Sequence, residues 1–254
     1  MRPSVLTRRG MILSGSALGG LLLAGCDRLS QAPQALKFLD HGEQLTMGAQ
    51  RLLLAGQPLA REFKVSDISR VFKPNGSINP QDPAYRALVE SDFAGWSLTV
   101  SGLVQRPLSL TLAQLRALPA RTQITRHDCV EGWSAIAQWT GPQLGGLLHA
   151  AGLQPRARYV VFHCADNLNG AGLYYESIDL FDAFHPQTIL AHTMNGQALA
   201  VAHGAPIRLR VERQLGYKQA KYVMGIEVTD SLAHIAGGRG GFWEDRGYEW
   251  YAGI

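Results

Sequence analysis

The decamer Thr125–Ser134, reading TRHDCVEGWS, sets one cysteine in a short polar loop between apolar segments, with glycine and tryptophan close behind. Whatever the chain folds into has to present Cys129 from that loop. A lone thiolate held this way can form one strong bond to a soft metal and leave the other coordination positions open. One protein ligand cannot hold a metal ion tightly, so the remaining coordination has to come from an organic cofactor.

That combination points to molybdenum on a pterin dithiolene. The residues CVEGWS, followed by the Trp-Thr-Gly-Pro-Gln-Leu run at 139–144, resemble the molybdopterin-binding domain of the sulfite oxidase family. The likeness is greatest to the bacterial branch that includes the periplasmic methionine-sulfoxide reductase catalytic subunit, and it runs from about Val71 to Ile254. It implies one molybdenum-molybdopterin (Mo-MPT) per chain, with the Cys129 thiolate joining the dithiolene sulfurs and terminal oxygens on the metal. It also implies oxygen-atom transfer to or from a small oxo-anion, S-oxide or N-oxide. The fold it implies is α+β, a sheet-rich catalytic domain of sulfite oxidase type. Because the chain stops at Ile254, the dimerisation and haem domains of some relatives are not expected.

Two further motifs carry the resemblance. His203-Gly204-Ala205-Pro206-Ile207-Arg208 offers Arg208, whose guanidinium can fork two hydrogen bonds onto phosphate oxygens, and His203, which would bond pterin or phosphate. Gly216-Tyr217-Lys218-Gln219-Ala220-Lys221 reads as a turn presenting backbone N–H groups around Gln219 and Ala220, together with Lys221, to the phosphate end. Arg210, by contrast, reads as a solvated charge on the polar face of a strand. Upstream, Phe72-Lys73-Pro74-Asn75-Gly76 occupies the place where the family contacts the pterin with loop residues, Lys73 and Asn75 among them. Cys164 falls where relatives use a small residue near the cofactor. Sulfite oxidases proper place an arginine in the upstream loop for their anion, and this chain has Pro74 there, so sulfite is not the expected substrate. Arg126 and His127, beside Cys129, are the candidates for reaching an anionic or oxo-bearing substrate, or for fixing the Cys129 loop.

The first residues read as targeting information rather than fold. Thr7-Arg8-Arg9-Gly10-Met11-Ile12 is a twin-arginine pattern followed by an apolar, glycine-rich run to Ala24. Leu22-Leu23-Ala24-Gly25-Cys26 reads as a lipobox, with acylation of Cys26, and Asp27 behind it favours the inner membrane. Lipid chains add about 0.8 kcal/mol per buried methylene, enough for several chains to anchor the protein. A molybdopterin is inserted in the cytoplasm, so export in the folded state fits the twin-arginine route. The expected division is a signal peptide over 1–25, a polar, irregular tether and lead-in over 26–58, and a catalytic domain over 59–254. The expected location is the periplasmic side of the inner membrane.

Lysine and arginine exceed aspartate and glutamate by 24 to 20, a net charge of +4. No stretch clusters these bases with aromatics, so nucleic acid is not an expected partner. The excess suits an anionic cofactor or a bilayer surface equally. No span after residue 25 is long and apolar enough to cross a membrane. The chain holds no CxxCH haem motif. Electrons are therefore expected to pass to or from a separate membrane cytochrome b or periplasmic cytochrome c.

Periodicity places strands at Trp96–Gly102, Tyr159–His163, Ile207–Val211 and Tyr222–Val228, and a two-residue hairpin turn at Asn195-Gly196. Leu144, Leu147, Leu148 and Ala151 share a helical face with Gly152 as C-cap, and Ile178–Phe184 reads as a short helix capped by Ser177. The aromatic stretch Gly240–Ile254 offers Trp243, Tyr248, Trp250 and Tyr251 as walls of a substrate funnel with Arg246 at its mouth, or else as a core-sealing terminal strand. A Cys129–Cys164 disulfide would compete with metal ligation. A zinc hydrolase using His127-x-Cys129 and His163-Cys164 is a second class, although strand neighbours point to opposite faces. A non-catalytic lipoprotein that keeps the fold is a third.

Overall fold

The computed structural model describes residues 33–56 and 58–254. The twin-arginine pattern, the lipobox and Cys26 lie outside them. The described residues divide into two units, one ending at Leu54 and the other spanning Ala55–Ile254. In the first, the helix α1 spans Pro33–Leu53, where an irregular tether was expected. Proline at the first helical position presets φ, and the run behind it is rich in Ala, Leu, Lys, Gln and Glu. These outweigh Gly42 and Gly48, each costing about 1 kcal/mol relative to alanine. Arg51 in the last turn complements the helix dipole.

The second unit follows in order. Helix α2 is Pro83–Glu90, with Asp82 accepting from the Tyr85 amide as N-cap. Then come β1 Ser97–Gly102, β2 Leu108–Thr111, α3 Leu112–Arg116, β3 Ala120–Asp128, β4 Ser134–Pro142 and α4 Leu144–Ala151. They are followed by β5 Tyr159–Cys164, β6 Tyr175–Asp179, α5 Leu180–Ala183, β7 Ile189–Ala191, β8 Thr193–Met194, β9 Gln197–Ala198, β10 Arg208–Arg210 and β11 Val223–Thr229. Short 3₁₀ turns at Val201–His203 and Gly216–Lys218 carry parts of two of the sequence motifs.

A five-stranded mixed sheet runs β2-β1-β11-β5-β6, with β1 parallel to β11 and the other pairs antiparallel. A four-stranded sheet, β3-β4-β8-β9, and the two-stranded β10-β7 complete the α+β fold. Alternation along β1 sends Leu98 and Val100 inward, where they meet Leu144, Leu147 and Leu148 of α4 and Val160, Phe162 and Ile226 of the central strands. A smaller cluster gathers Phe72, Ala137 and Trp139 under the β3–β4 hairpin.

The strands expected at Trp96, Tyr159 and Tyr222 form with ends shifted by a residue, and Asn195 and Gly196 take the positive φ of 50° and 77° that a type I′ turn requires. The helix expected at Ile178–Phe184 shrinks to α5. Ser177 and Ile178 stay paired with β5, and Asp179, not Ser177, caps the helix by accepting from the Asp182 amide. The Ile207–Val211 alternation gives only a three-residue strand that is buried on both faces, so Arg210 is in the core and not solvated.

Candidate functional site

Strands β3 and β4 pair without a break from Ala120↔Pro142 to Asp128↔Ser134, which leaves Cys129–Trp133 as the hairpin loop. The loop is tied to itself: the Cys129 amide donates to the Trp133 carbonyl at 3.0 Å, and the Gly132 amide to the Cys129 carbonyl at 3.0 Å. Cys129 thereby opens into a cleft of about 790 Å³, its mouth included. Asn75, Gly216 and Gln219 line one part of that cleft, and Tyr217, Trp243 and Tyr248 line another. Burial raises the Cys129 thiol above its ordinary value, the Glu131 carboxylate adds to the rise, and the Lys73 ammonium opposes it. Lys73 itself pairs with Glu131 at 3.1 Å, and the Trp133 indole donates to the same carboxylate at 2.9 Å. A soft metal would take the place of the thiol proton.

Lys221 enters the cleft from the other side. Its Nζ donates to the carbonyls of Asn75 at 2.6 Å, Ser77 at 2.5 Å and Ala202 at 3.2 Å, so it binds the upstream loop to the 3₁₀ turn before Gly204. Burial, then the charge of Arg208, lowers its pKa to about 7. The Asn75 side chain keeps a buried Oδ1 without a partner.

Arg208 is fully buried and forms no ion pair with a carboxylate among the described residues; the Glu212 charge acts on it from the Arg210 pair. Its guanidinium donates only to the carbonyls of His203 at 3.2 Å and Gln219 at 3.3 Å, and its Nε has no partner. Burial and the nearby Arg210 charge lower it to about 9. An interior cation so placed is costly unless an anion completes it. Arg210, also fully buried, is completed by the chain itself, donating from Nε to Glu212 Oε1 at 3.0 Å and from Nη2 to Oε2 at 2.5 Å. Both guanidiniums lie on the faces of Trp139, with centroid distances of 5.1 and 4.5 Å.

Several sequence candidates converge here and others do not. Asn75, Cys129, Gln219 and Lys221 line the cleft, and His203 stands beside them, edge-on to Phe72 with a centroid distance of 5.7 Å. His127 is fully buried and packs on Phe72 and Trp133. Arg126 alternates onto the opposite, exposed face of β3, where it bonds Asp128 at 2.9 Å, and so does not reach the cleft. Ala220 contributes its carbonyl to Leu209 at 2.8 Å, a structural bond. Cys164 is buried at the end of β5, and burial with the Asp166 and Glu176 charges holds it well above the ordinary thiol range.

The C-terminal aromatics divide between two roles. Trp243 and Tyr248 line the cleft, whereas Trp250 donates to the Ser177 hydroxyl at 2.8 Å and Tyr251 is buried. No terminal strand forms among the described residues; a single bridge joins Gly253 to Gln214. Arg246 lies over the Phe242 ring at 3.5 Å and donates to the Phe242 and Ala171 carbonyls, so it pins the segment instead of guarding a mouth.

Sequence reasoning missed Glu131, Asp166 and Tyr174 in the cleft, and the Arg210–Glu212 pair behind it. Glu131 was visible inside the CVEGWS motif itself. The i, i+2 spacing of Arg210 and Glu212 could have signalled a pair on one face of the chain. Cys129 and Cys164 are both free and not joined to each other. Among the described residues no three His, Cys, Asp or Glu side chains gather as a zinc site would need. His127 is occupied by Arg210, and His163 faces outward to Glu227 at 2.9 Å.

Residues 86–234 match the family model described as the oxidoreductase molybdopterin binding domain. The chain is 38% identical over 247 residues, 97% of its length and 87% of the relative's, to a protein of Azospira oryzae provisionally named protein-methionine-sulfoxide reductase subunit YedZ1. It is 36% identical over 165 residues to the protein-methionine-sulfoxide reductase catalytic subunit MsrP of Xanthomonas campestris, covering 61% of this chain and 51% of that one. The chain therefore spans about half the length of that MsrP relative. Among solved structures, the sulfane dehydrogenase SoxCD of Paracoccus pantotrophus superposes with a TM-score of 0.48 at 24% identity, over 54% of this chain and 38% of that one. The family match and the nearly full-length relative establish that this chain belongs to the oxidoreductase molybdopterin-binding family and is a molybdenum-cofactor oxidoreductase of the sulfite oxidase type.

Proposed function

We propose that this protein transfers an oxygen atom between a sulfoxide-class substrate and water at a molybdenum centre ligated by Cys129, working in the reductive direction with electrons from a separate partner. The observation that carries this is the donor set around the cleft. The Cys129 thiol opens onto it, and behind it stands Arg208, fully buried and hydrogen-bonded to two carbonyls but ion-paired to no carboxylate among the described residues. Asn75 Oδ1, His127 Nε2, His203 Nδ1, Arg208 Nε and Gln219 Oε1 are all buried without hydrogen-bond partners. Orphaned interior polar atoms are rare and costly, so their concentration in one place fits a polar, anionic group such as a pterin phosphate. Gly216 adds a cradle, since a side-chain carbon there would come within 2.6 Å of His127 Nε2.

In this reading Arg208 and His203 hold the phosphate end, Asn75 and Gln219 hold the pterin, and Lys221 fastens the Asn75 loop over it. When bound, the molybdenum centre supplies two-electron oxygen-atom transfer. Lys73 and Glu131 set the charge beside the Cys129 sulfur. Tyr217, Trp243 and Tyr248 form an apolar wall suited to a thioether or sulfoxide side chain. The names of the Azospira and Xanthomonas relatives support methionine sulfoxide as the substrate. Pro74, where sulfite oxidases carry an arginine, argues against sulfite. A membrane cytochrome b or a periplasmic cytochrome c would supply the electrons. The proposed setting is a twin-arginine signal over 1–25, a lipidated Cys26 and a tether to residue 58, which put the catalytic unit at the periplasmic face of the inner membrane.

The test is elemental analysis of protein purified from the periplasmic membrane, followed by substrate assays with a reduced viologen. About one molybdenum per chain and viologen-linked reduction of methionine sulfoxide support the reading. Molybdenum-loaded protein that oxidises sulfite and leaves sulfoxides untouched would overturn the substrate, and properly exported protein without molybdenum would overturn the whole.

A further inference from the structure

His127 sits two residues before Cys129 with both ring nitrogens constrained. Arg210 Nη1 lies 3.1 Å from Nδ1. A guanidinium has donors only, so Nδ1 must accept and the ring proton must sit on Nε2. Arg210 cannot turn away, because Glu212 holds its Nε and Nη2 and all three side chains are buried. The carboxylate is fixed in turn by Gln123, which donates from Nε2 at 2.8 Å. Phe72 and Trp133 pack tilted against the ring, with centroids 5.5 Å away in each case.

The Nε2 atom is buried and has no hydrogen-bond partner. It lies against Gly216, which lines the cleft and where a side-chain carbon would come within 2.6 Å of Nε2. Gln219, another lining residue, comes close enough to favour a protonated ring, although neither its Oε1 nor His127 Nε2 has a partner at hydrogen-bond geometry among the described residues. A locked N–H donor set directly behind two cleft-lining residues, Gly216 and Gln219, without a partner at hydrogen-bond geometry among the described residues, is placed to recognise a ligand at the cleft floor.

We propose that His127, clamped by the Arg210–Glu212 pair, presents Nε2–H as a fixed donor to an acceptor atom of the bound pterin, and is thus a residue that positions the cofactor rather than one that handles substrate. This rests on the molybdopterin reading of the cleft. Arg210 and Glu212 act through His127, fixing which nitrogen carries the proton and where it points.

The experiment compares wild type, His127→Leu and His127→Gln, each made with cofactor and also in cells blocked in molybdopterin synthesis. Molybdenum and oxidised-pterin fluorescence are followed during dialysis, and thermal unfolding is measured on loaded and cofactor-free protein. Losing one buried hydrogen bond should make His127→Leu release molybdenum and pterin about tenfold faster. It should also narrow the gap in Tm between loaded and cofactor-free forms. The Gln carboxamide can place an N–H near the position of Nε2, so His127→Gln should recover both. Should His127→Leu fail to fold, Gly216→Ala sets a methyl group against Nε2, which must screen or displace the N–H, and the same faster release is expected. Release at the wild-type rate, or equal losses of Tm in loaded and cofactor-free protein, overturns the proposal. Wild type that carries neither molybdenum nor pterin removes the reading beneath it, an outcome distinct from a loaded wild type with indifferent variants.

Discussion

The Lys221 ammonium donates to the Asn75 carbonyl at 2.6 Å, joining two motifs that lie 146 residues apart in the chain. The same Nζ reaches Ser77 and Ala202, so one buried cation gathers the loop and the turn that flank the cleft. Its lowered pKa, about 7 against an ordinary 10.5, has a consequence for the cofactor-free protein. Between those values the unfolded lysine is protonated and the folded one is not. The unfolded state then binds more protons, and stability rises with pH across that window. Wild type should gain stability relative to Lys221→Met between about pH 7 and 10, measured by denaturant unfolding of cofactor-free protein. An anion bound nearby would restore the charge, so the effect should shrink in loaded protein. Parallel pH curves for the two cofactor-free proteins would refute this role of Lys221.

A second buried cation supports the C-terminal segment. Lys218 Nζ donates to Glu176 Oε1 and Glu244 Oε1, each at 2.5 Å, with all three side chains inside. Burial raises Glu176 well above the ordinary carboxylate range, with the Lys218 charge opposing and the Glu244 charge adding to the rise. Lys218→Met would leave two carboxyls facing each other in the interior and should cost about 3–5 kcal/mol in denaturant unfolding. Glu176→Gln, which mimics the protonated form, should cost much less. Equal losses in the two variants would show that the charge pairing is not what holds the segment.

Tyr248 makes the outer wall of the cleft, edge-on to Tyr217 at 5.2 Å and against Trp243 at 5.4 Å. Removing such an aromatic contact is worth about 1 kcal/mol. Tyr248→Ala should therefore raise KM for methionine sulfoxide roughly fivefold, with molybdenum content and kcat little changed. Steady-state kinetics on metal-matched protein check this, and a fall in kcat at constant KM would contradict it.

Much of the site was legible because its chemistry is local in sequence. Cys129 stands in a loop because polar residues interrupt two apolar segments, and Asn195-Gly196 can only turn. What was not legible depends on burial. Arg208 and Arg210 alternate with apolar neighbours as a half-exposed strand would, yet β10 is covered on both faces, and Trp139 packs on both guanidiniums. Arg126 and His127 both stand close to Cys129 in the sequence, and only the pleat of β3 sends one outward and the other into the interior. Likewise the stretch at 240–254 does two jobs, with Trp243 on the cleft and Trp250 in the packing, which an aromatic count alone does not separate. The α1 helix was legible and missed: Leu45, Ala49, Leu52 and Leu53 recur at helical spacing, but the polar composition around them was read as a tether.

The central claim is that Cys129 binds the metal through sulfur. Molybdenum K-edge absorption on wild type and Cys129→Ser, each loaded and matched for metal content, tests this most directly. Loss of one sulfur scatterer from the molybdenum shell in Cys129→Ser, together with loss of sulfoxide reduction, is the predicted result. An unchanged sulfur shell in the variant would mean that the thiolate is not a ligand and that the cleft holds its cofactor in some other way.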